Sequence, residues 1–353
     1  MAYRRSNGKG RKKIEPAVKT MVFQINTPAN TFGEFTLDLS QCASLVNRRF
    51  YRQGINWAVS GIKFTSLTAN PNVNLTIQKL PETWVLSNAW MKGFQAWQRM
   101  NNEALEENES VRPRFLDFKI FADAKHHSDG FVGNLLPLST DLAGTAATAG
   151  EWESSKVVVP TSTTTSGVSE FEMIATGSSF PGASPVSTLN AVSLIEGYAA
   201  SRGLPPITDP NTPGDADDVG PTATPENWIS SMFNEGTDQD KTVLDDMITE
   251  NNQAPYPFEN AQVPGAAPGV VFTDTQYPGG ANQMTGLQFH DINTDTATSV
   301  GGITRFNGGL FPCGLMRFTV SNQPNDNPVA YAVQVDLVPG SHRGYLCEPM
   351  TEM

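Results

Sequence analysis

Along most of the chain apolar residues alternate with polar ones, the period of a β-strand with one buried face. Lys19 to Asn26 (KTMVFQIN) and Glu34 to Leu39 (EFTLDL) form one such pair across a turn containing Pro and Gly, and Ser40 is placed to cap a short helix running to about Val46. Asn56 to Leu67 (NWAVSGIKFTSL) predicts a long strand bent or bulged near Gly61. The sharpest alternation is Val73, Leu75 and Ile77 within Asn72 to Leu80. Arg114 to Phe121, Ser169 to Thr176, Gln283 to Asn293, Gly314 to Ser321 and Val329 to Val338 carry the same period, and a Gly-rich approach precedes the last pair. Asn322 to Pro328 (NQPNDNP), between that pair, is a turn.

The period changes at Thr83 to Leu105. There Leu86, Trp90, Phe94, Trp97, Met100 and Ala104 recur three or four apart, which predicts an amphipathic helix. Its tryptophans could form a base-stacking surface, but they share the apolar stripe, so packing onto a sheet is favoured. Ala122 to Gly167 reads as loop with one short apolar run, Lys156 to Val159. Thr188 to Arg202 reads as a helix ended by Gly203. Leu204 to Glu259 holds twelve acidic residues against one lysine, with a capped helix expected at Asp238 to Asn251.

Eight or so strands, few separated by the helix that a parallel crossover requires, predict an antiparallel sandwich. The fold class is all-β: a single eight-stranded antiparallel jelly roll (β-sandwich) with helical and long loop insertions. The expected divisions are a basic, disordered arm at 1–18, the first part of the roll at 19–180 with the helix at about 84–105, an acidic surface insertion at 181–280, the last strands at 281–338 and a tail at 339–353.

Charge sharpens this picture. Six of the first thirteen residues are basic and none is acidic; removing them from the total of 24 basic and 36 acidic residues leaves 18 against 36. A positive arm on a negative body is the pattern of a solvated tail that seeks polyanions. Its plainer roles are a solubilising terminus or a nuclear-import signal. Cys42, Cys313 and Cys347 are odd in number and far apart, which argues against a disulfide framework or a zinc site. No secretory signal and no run of about eighteen apolar residues occurs, so membrane insertion is not expected and the sequons at Asn74 and Asn108 read as chance matches.

A short Arg/Lys arm, an eight-stranded β pattern with large insertions, and the late strand pair within GGLFPCGLMRFTVSNQPNDNPVAYAVQVDLVPGSHRG resemble the single-jelly-roll capsid proteins of small circular, replication-initiator-encoding single-stranded DNA viruses. The resemblance is one of layout across most of the chain. It implies self-assembly into an icosahedral shell of about sixty copies or a multiple, location in the virion and in the host cell during assembly (including the nucleus), a host receptor of unknown kind, and packaging of a single-stranded DNA genome. It assigns genome contact to Arg4, Arg5, Lys9, Arg11, Lys12 and Lys13. About sixty arms would offset only about 360 phosphates, so small cations or inward-facing basic residues are also needed. Arg48, Arg49 and Arg52 are the candidates from the folded body, with surface ion pairing as their ordinary alternative.

Catalytic readings are weaker. Ser60 to Lys63 matches SxxK but lies in a strand pattern without the partner motifs, and GxSxG, HExxH and P-loop motifs are absent. No cofactor is expected beyond divalent cations at subunit interfaces or with the genome. His126 and His127 beside Asp123 and Asp129, and Asp215 and Asp217 beside Asp218, are weak metal candidates, a solvated loop being the expectation for each. The alternatives to a coat protein are a β-sandwich glycan-binding surface module and, behind it, a β-sandwich hydrolase.

Overall fold

The computed structural model describes residues 16–68, 72–106, 110, 117–139, 144–160, 168–200, 228–231, 286–296, 302–322 and 327–352. In it the alternating segments pair into two antiparallel sheets. One runs β1 (Thr20–Thr27), β11 (Val329–Leu337), β3 (Ile55–Ser66), with β9 (Ile303–Phe311) on the other edge of β3. The short β14 (Cys347–Pro349) follows β11 along β3, pairing Cys347 with Trp57. The second sheet runs β2 (Phe32–Asp38), β10 (Leu315–Ser321), β4 (Val73–Lys79), β8 (Gln288–Asp295).

Period two decides which side chains enter the core. Met21, Phe23 and Ile25 of β1, Val73, Leu75 and Ile77 of β4, and Met316, Phe318 and Val320 of β10 are all buried between the sheets. At the centre Phe64 meets Phe318 edge-on at 5.4 Å and Phe306 at 5.2 Å. The bend expected near Gly61 is a bulge: Asp336 pairs with Gly61 and Leu337 with Val59, leaving Ser60 as the extra residue. The strands β10 and β11, adjacent in sequence, lie in opposite sheets.

The two ends of the sandwich differ. At one end the connections are short and stitched together, as where Asn322 Nδ2 donates to Pro28 O at 2.8 Å and Leu67 N to Ala330 O at 2.8 Å. At the other end lie α1 (Leu39–Asn47), the turn at Pro312–Gly314, the tail beyond Leu337, and the excursion between β4 and β8. That excursion includes α2 (Trp84–Leu105), α3 (Ala124–Asp129), β5 (Lys156–Pro160), β6 (Val168–Ile174), β7 (Asn190–Ser193), α4 (Leu194–Ala200) and a helical turn at Trp228–Ser231. Apart from one bridge between Phe121 and Ile174, strands β5, β6 and β7 pair with one another, so the block 19–180 holds strands of the sandwich and of a separate small sheet. Trp84, Trp90 and Trp97 of α2 are buried with Phe118, Val157 and Leu194 in a second core, as the stripe predicted. This lobe also covers the outer side of β10, which is why Leu315 and Arg317 are buried along with the opposite face.

Several expectations are corrected. The cap of α1 is Asp38, whose Oδ1 accepts from Ser40 N at 2.8 Å and Gln41 N at 3.2 Å; Ser40 is the second residue of the helix. Within the strand expected at Arg114 to Phe121, residues 117–120 form no ladder and Phe121 makes one parallel bridge to Ile174; Gln53 and Ser155 take the backbone bonds instead. Residues 114–116 lie outside the described residues. Within the helix expected at Thr188 to Arg202, Asn190–Ser193 is a strand and Leu194–Ala200 a helix, because Thr188 turns through a φ of 64° and Ser193 Oγ accepts from Glu196 N at 3.3 Å as a cap; residues 201–202 lie outside the described residues. The Gly-rich approach is strand β9: a Cβ on Gly308 would sit 2.2 Å from Val59 O, so only glycine lets the two strands close. The loop expected at 122–167 contains α3 and β5. The helix expected at Asp238 to Asn251 lies outside the described residues.

Candidate nucleic-acid interface

Arg4, Arg5, Lys9, Arg11, Lys12 and Lys13 lie outside the described residues, so the structure describes the arm only from its root. There Val18 is held by a three-membered clasp. Val18 N donates to Asn47 Oδ1 at 3.0 Å, Asn47 Nδ2 donates to Tyr345 Oη at 2.7 Å, and Tyr345 Oη donates to Val18 O at 2.6 Å. Asn47 closes α1, and Tyr345 follows the turn after β11, so the clasp joins the two ends of the chain to one helix terminus. Burial pushes the Tyr345 hydroxyl up to about 12, so it stays protonated and keeps donating at any physiological pH.

Beneath the clasp Tyr345 packs on Trp57 at 5.3 Å and on Tyr51 at 5.5 Å. Tyr51 is fully buried and its hydroxyl donates to Arg343 O at 3.0 Å, while Arg343 Nη1 donates back to Phe50 O. This rigid base carries Arg48, Arg49, Arg52 and Arg343, all exposed, with Lys19 exposed at the arm's root. Arg48 and Arg343 have φ of 53° and 49°. Glycine or asparagine is the usual occupant of that left-handed region, and arginine there costs about 1 kcal/mol. Both strained positions nonetheless present a guanidinium on the surface from which the arm departs. The structure places Arg48 next to Asn47 of the clasp and Arg343 against Phe50, with Arg49 between Arg48 and Phe50 in sequence, while Arg52 lies beside Asp117; Arg343 was not among the residues singled out from the sequence. The only local signal was the tail tripeptide His342-Arg343-Gly344, which has no periodicity to place it.

Each basic group here is able to meet a phosphate, and each phosphate neutralised on a single strand steepens the salt dependence of binding by about 0.7 in log–log slope. Asp117 lies near Arg52 and Lys119; burial raises its carboxyl above the usual range despite both cations.

The histidine candidates are not on a solvated loop. His126 and His127 are 0% and 1% exposed on α3. His126 Nδ1 accepts from Ala122 N at 3.0 Å, and its Nε2–H points at Asn134 Oδ1, 2.8 Å away. Both ring nitrogens are thus used, and burial lowers its pKa to about 4, so the ring is neutral. His127 Nε2 faces Glu172 Oε2 at 2.9 Å. Asp123 caps α3 and grips Arg317 through both oxygens at 2.6 and 2.7 Å, while Asp129 pairs with Lys125. The Asp123–Arg317 pair ties the insertion to β10, and the other contacts hold the insertion to itself. Among the described residues no group of three or more His, Cys, Asp or Glu is arranged to hold a metal ion. Asp215 and Asp217 lie outside the described residues.

In the SxxK segment, Ser60 Oγ donates to Asp336 O at 2.9 Å at the bulge. The three cysteines are free thiols. No described helix is long and apolar enough to cross a membrane. The chain is a mainly antiparallel β-sandwich protein. Comparison with known proteins returns no matching family model, no matching curated relative and no matching solved structure.

Proposed function

We propose that the sandwich is a jelly roll and that the protein is the coat subunit of a small icosahedral shell enclosing a single-stranded DNA genome. The support for the fold is strand order. Leaving aside the three insertion strands and the short terminal ones, the eight main strands number one to eight in sequence, and the sheets then read 1-8-3-6 and 2-7-4-5. That is the order of two interlocked Greek keys. In such a roll the short loops meet at one end and insertions accumulate at the other, as they do here.

The observation that carries the function is the placement of the arm's root. The basic arm leaves the body at a clasp flanked by Arg48, Arg49 and Arg343, with Arg52 exposed a few residues further along the same segment, while the body as a whole is acidic. Positive charge is thereby concentrated on one surface, which faces the cavity of the shell. Six arm charges and four from the patch give roughly 600 positive charges in a shell of about sixty copies. Each arm alone binds weakly and loses affinity with salt; many arms around one cavity hold the strand by avidity.

Electron microscopy of the purified protein should show uniform shells, and a stable monomer at high concentration and moderate salt would overturn the proposal. Deleting Ala2 to Lys13 should give shells with little nucleic acid; unchanged packaging would remove the arm from the mechanism.

A further inference from the structure

A cavity of about 460 Å³ opens between α2, the segment before β3, Asp117 and the tail. Its floor is aromatic: Trp90 and Phe94 are stacked with centroids 5.1 Å apart and planes 10° apart, and Phe118 stands edge-on to both at 5.8 and 5.6 Å. The backbone reaches the indole because residue 54 is glycine, where a Cβ would lie 2.3 Å from Trp90 Cζ2. Its rim carries Arg52, Gln95 and Gln98. Trp90 is 6% exposed, and its Nε1–H has no hydrogen-bond partner. An unmatched buried donor costs about 1–3 kcal/mol unless something supplies an acceptor.

We propose that this cavity takes one nucleobase of the packaged strand, an assignment that rests on the coat-protein reading and specifies where the folded body grips the genome. Three features select a nucleotide. A flat pair of rings offers a stacking platform, worth about 1–3 kcal/mol per base. Two primary amides can each donate and accept, the pattern that matches base edges. The single guanidinium lining it, Arg52, is exposed and four residues beyond the exposed Arg48, so the two backbones are at most about 14 Å apart and a strand held at Arg48 is within reach of the cavity. Stacking here falls to the partly buried Phe94, whose ring is backed by Trp90; the tryptophans themselves are core.

The test is photo-cross-linking of a 5-iodouracil-substituted oligodeoxynucleotide to intact shells, with the attachment sites mapped by mass spectrometry. Cross-links are expected in the peptide containing Phe94. Gln98→Trp, which fills the cavity from its rim, should lower that yield at least tenfold, and Arg52→Ala should lower it several-fold while leaving cross-links to the arm in place. Should Gln98→Trp fail to assemble, Gln95→Ala, at an exposed position outside the core, must still reduce the yield. Cross-links confined to the arm, or a yield indifferent to all three substitutions in shells that package normally, would overturn the pocket and leave the coat-protein reading standing. Absence of shells altogether would remove that reading instead.

Discussion

The core between the sheets and the seam between sandwich and insertion are both buried, yet different forces hold them. Between the sheets Phe23, Phe64, Phe318, Val333 and their neighbours meet with few polar groups among them. Along the seam hydrogen bonds and charges accompany the apolar contacts of Cys313 and Leu315. Asp38 accepts from Gln53 Nε2 at 3.0 Å and Trp152 Nε1 at 3.1 Å, Asn134 Nδ2 donates to Gln41 Oε1 at 2.8 Å, and Asp123 grips Arg317. A dry core is insensitive to pH and salt, whereas a titratable seam is not. An insertion stitched on by polar groups can therefore alter its hold while the sandwich stays folded.

The largest expected effect lies in the core. Phe318→Ala removes a fully buried ring from contact with Phe64 and should cost about 4 kcal/mol in urea unfolding, equally at pH 5 and pH 8. A loss below about 1 kcal/mol would mean that the sheets close over the gap and the core is not the rigid partner in this comparison.

At the seam, Asp123→Ala strands Arg317, which is 4% exposed, and should cost roughly 3 kcal/mol. The double variant Asp123→Ala, Arg317→Met should recover at least half of that, since the penalty is the unpaired charge. Equal loss in both variants would place the cost in the α3 cap that Asp123 also provides.

The same contrast governs what could be read from the chain. Alternation at Val73, Leu75 and Ile77, or at Met316, Phe318 and Val320, needs no knowledge of partners, because period two already says which side chains face inward. The stripe from Trp90 to Trp97 was legible for the same reason. The seam was not: Asp38 with Trp152, and His127 with Glu172, are pairs brought together by tertiary packing alone, and His126 and His127 looked like loop residues for want of a visible period. Strand β9 hid behind glycines that serve a close approach. Of the interface, Arg48, Arg49 and Arg52 were legible as a cluster, while Arg343 and the clasp depended on where the tail returns.

Acid provides a third contrast. The neutral His126 titrates at about 4 instead of 6.5, so the folded state binds fewer protons than the unfolded one between those values, and its contribution to stability is lost as pH falls through that window. Asp38 titrates at about 6 because burial outweighs its four hydrogen bonds; the folded state then binds more protons between 3.8 and 6, and its contribution declines as pH rises. The two slopes oppose one another. Burial is the main cause at His126, where Arg317 adds to the lowering while Asp123 and Asp129 resist it. The penalty of His126→Gln should accordingly shrink by roughly 2 kcal/mol between pH 6.5 and pH 4.5. A penalty constant with pH would show that the fold does not lower the imidazole's pKa.

The smallest expected effect on stability, with the most direct bearing on the interface, belongs to the clasp. Tyr345→Phe keeps the ring against Trp57 and Tyr51 but removes the hydroxyl that donates to Val18 O and accepts from Asn47 Nδ2. Asn47 Nδ2 retains Ala43 O at 2.9 Å, and Val18 is exposed enough for water to satisfy its carbonyl, so the loss should be about 1 kcal/mol. Cleavage after Lys19 by trypsin should nevertheless accelerate several-fold, because the arm's root is then tied through Val18 N, the bond from Leu337 N to Lys19 O and the first pairs of β1 with β11, without the hold on Val18 O. A drop in stability as large as that of Phe318→Ala would show that the hydroxyl, and not only the buried ring, holds that part of the core together. Unchanged cleavage would show that the pairing of Thr20 with Asp336 alone anchors the arm, and the clasp would then have no part in directing it.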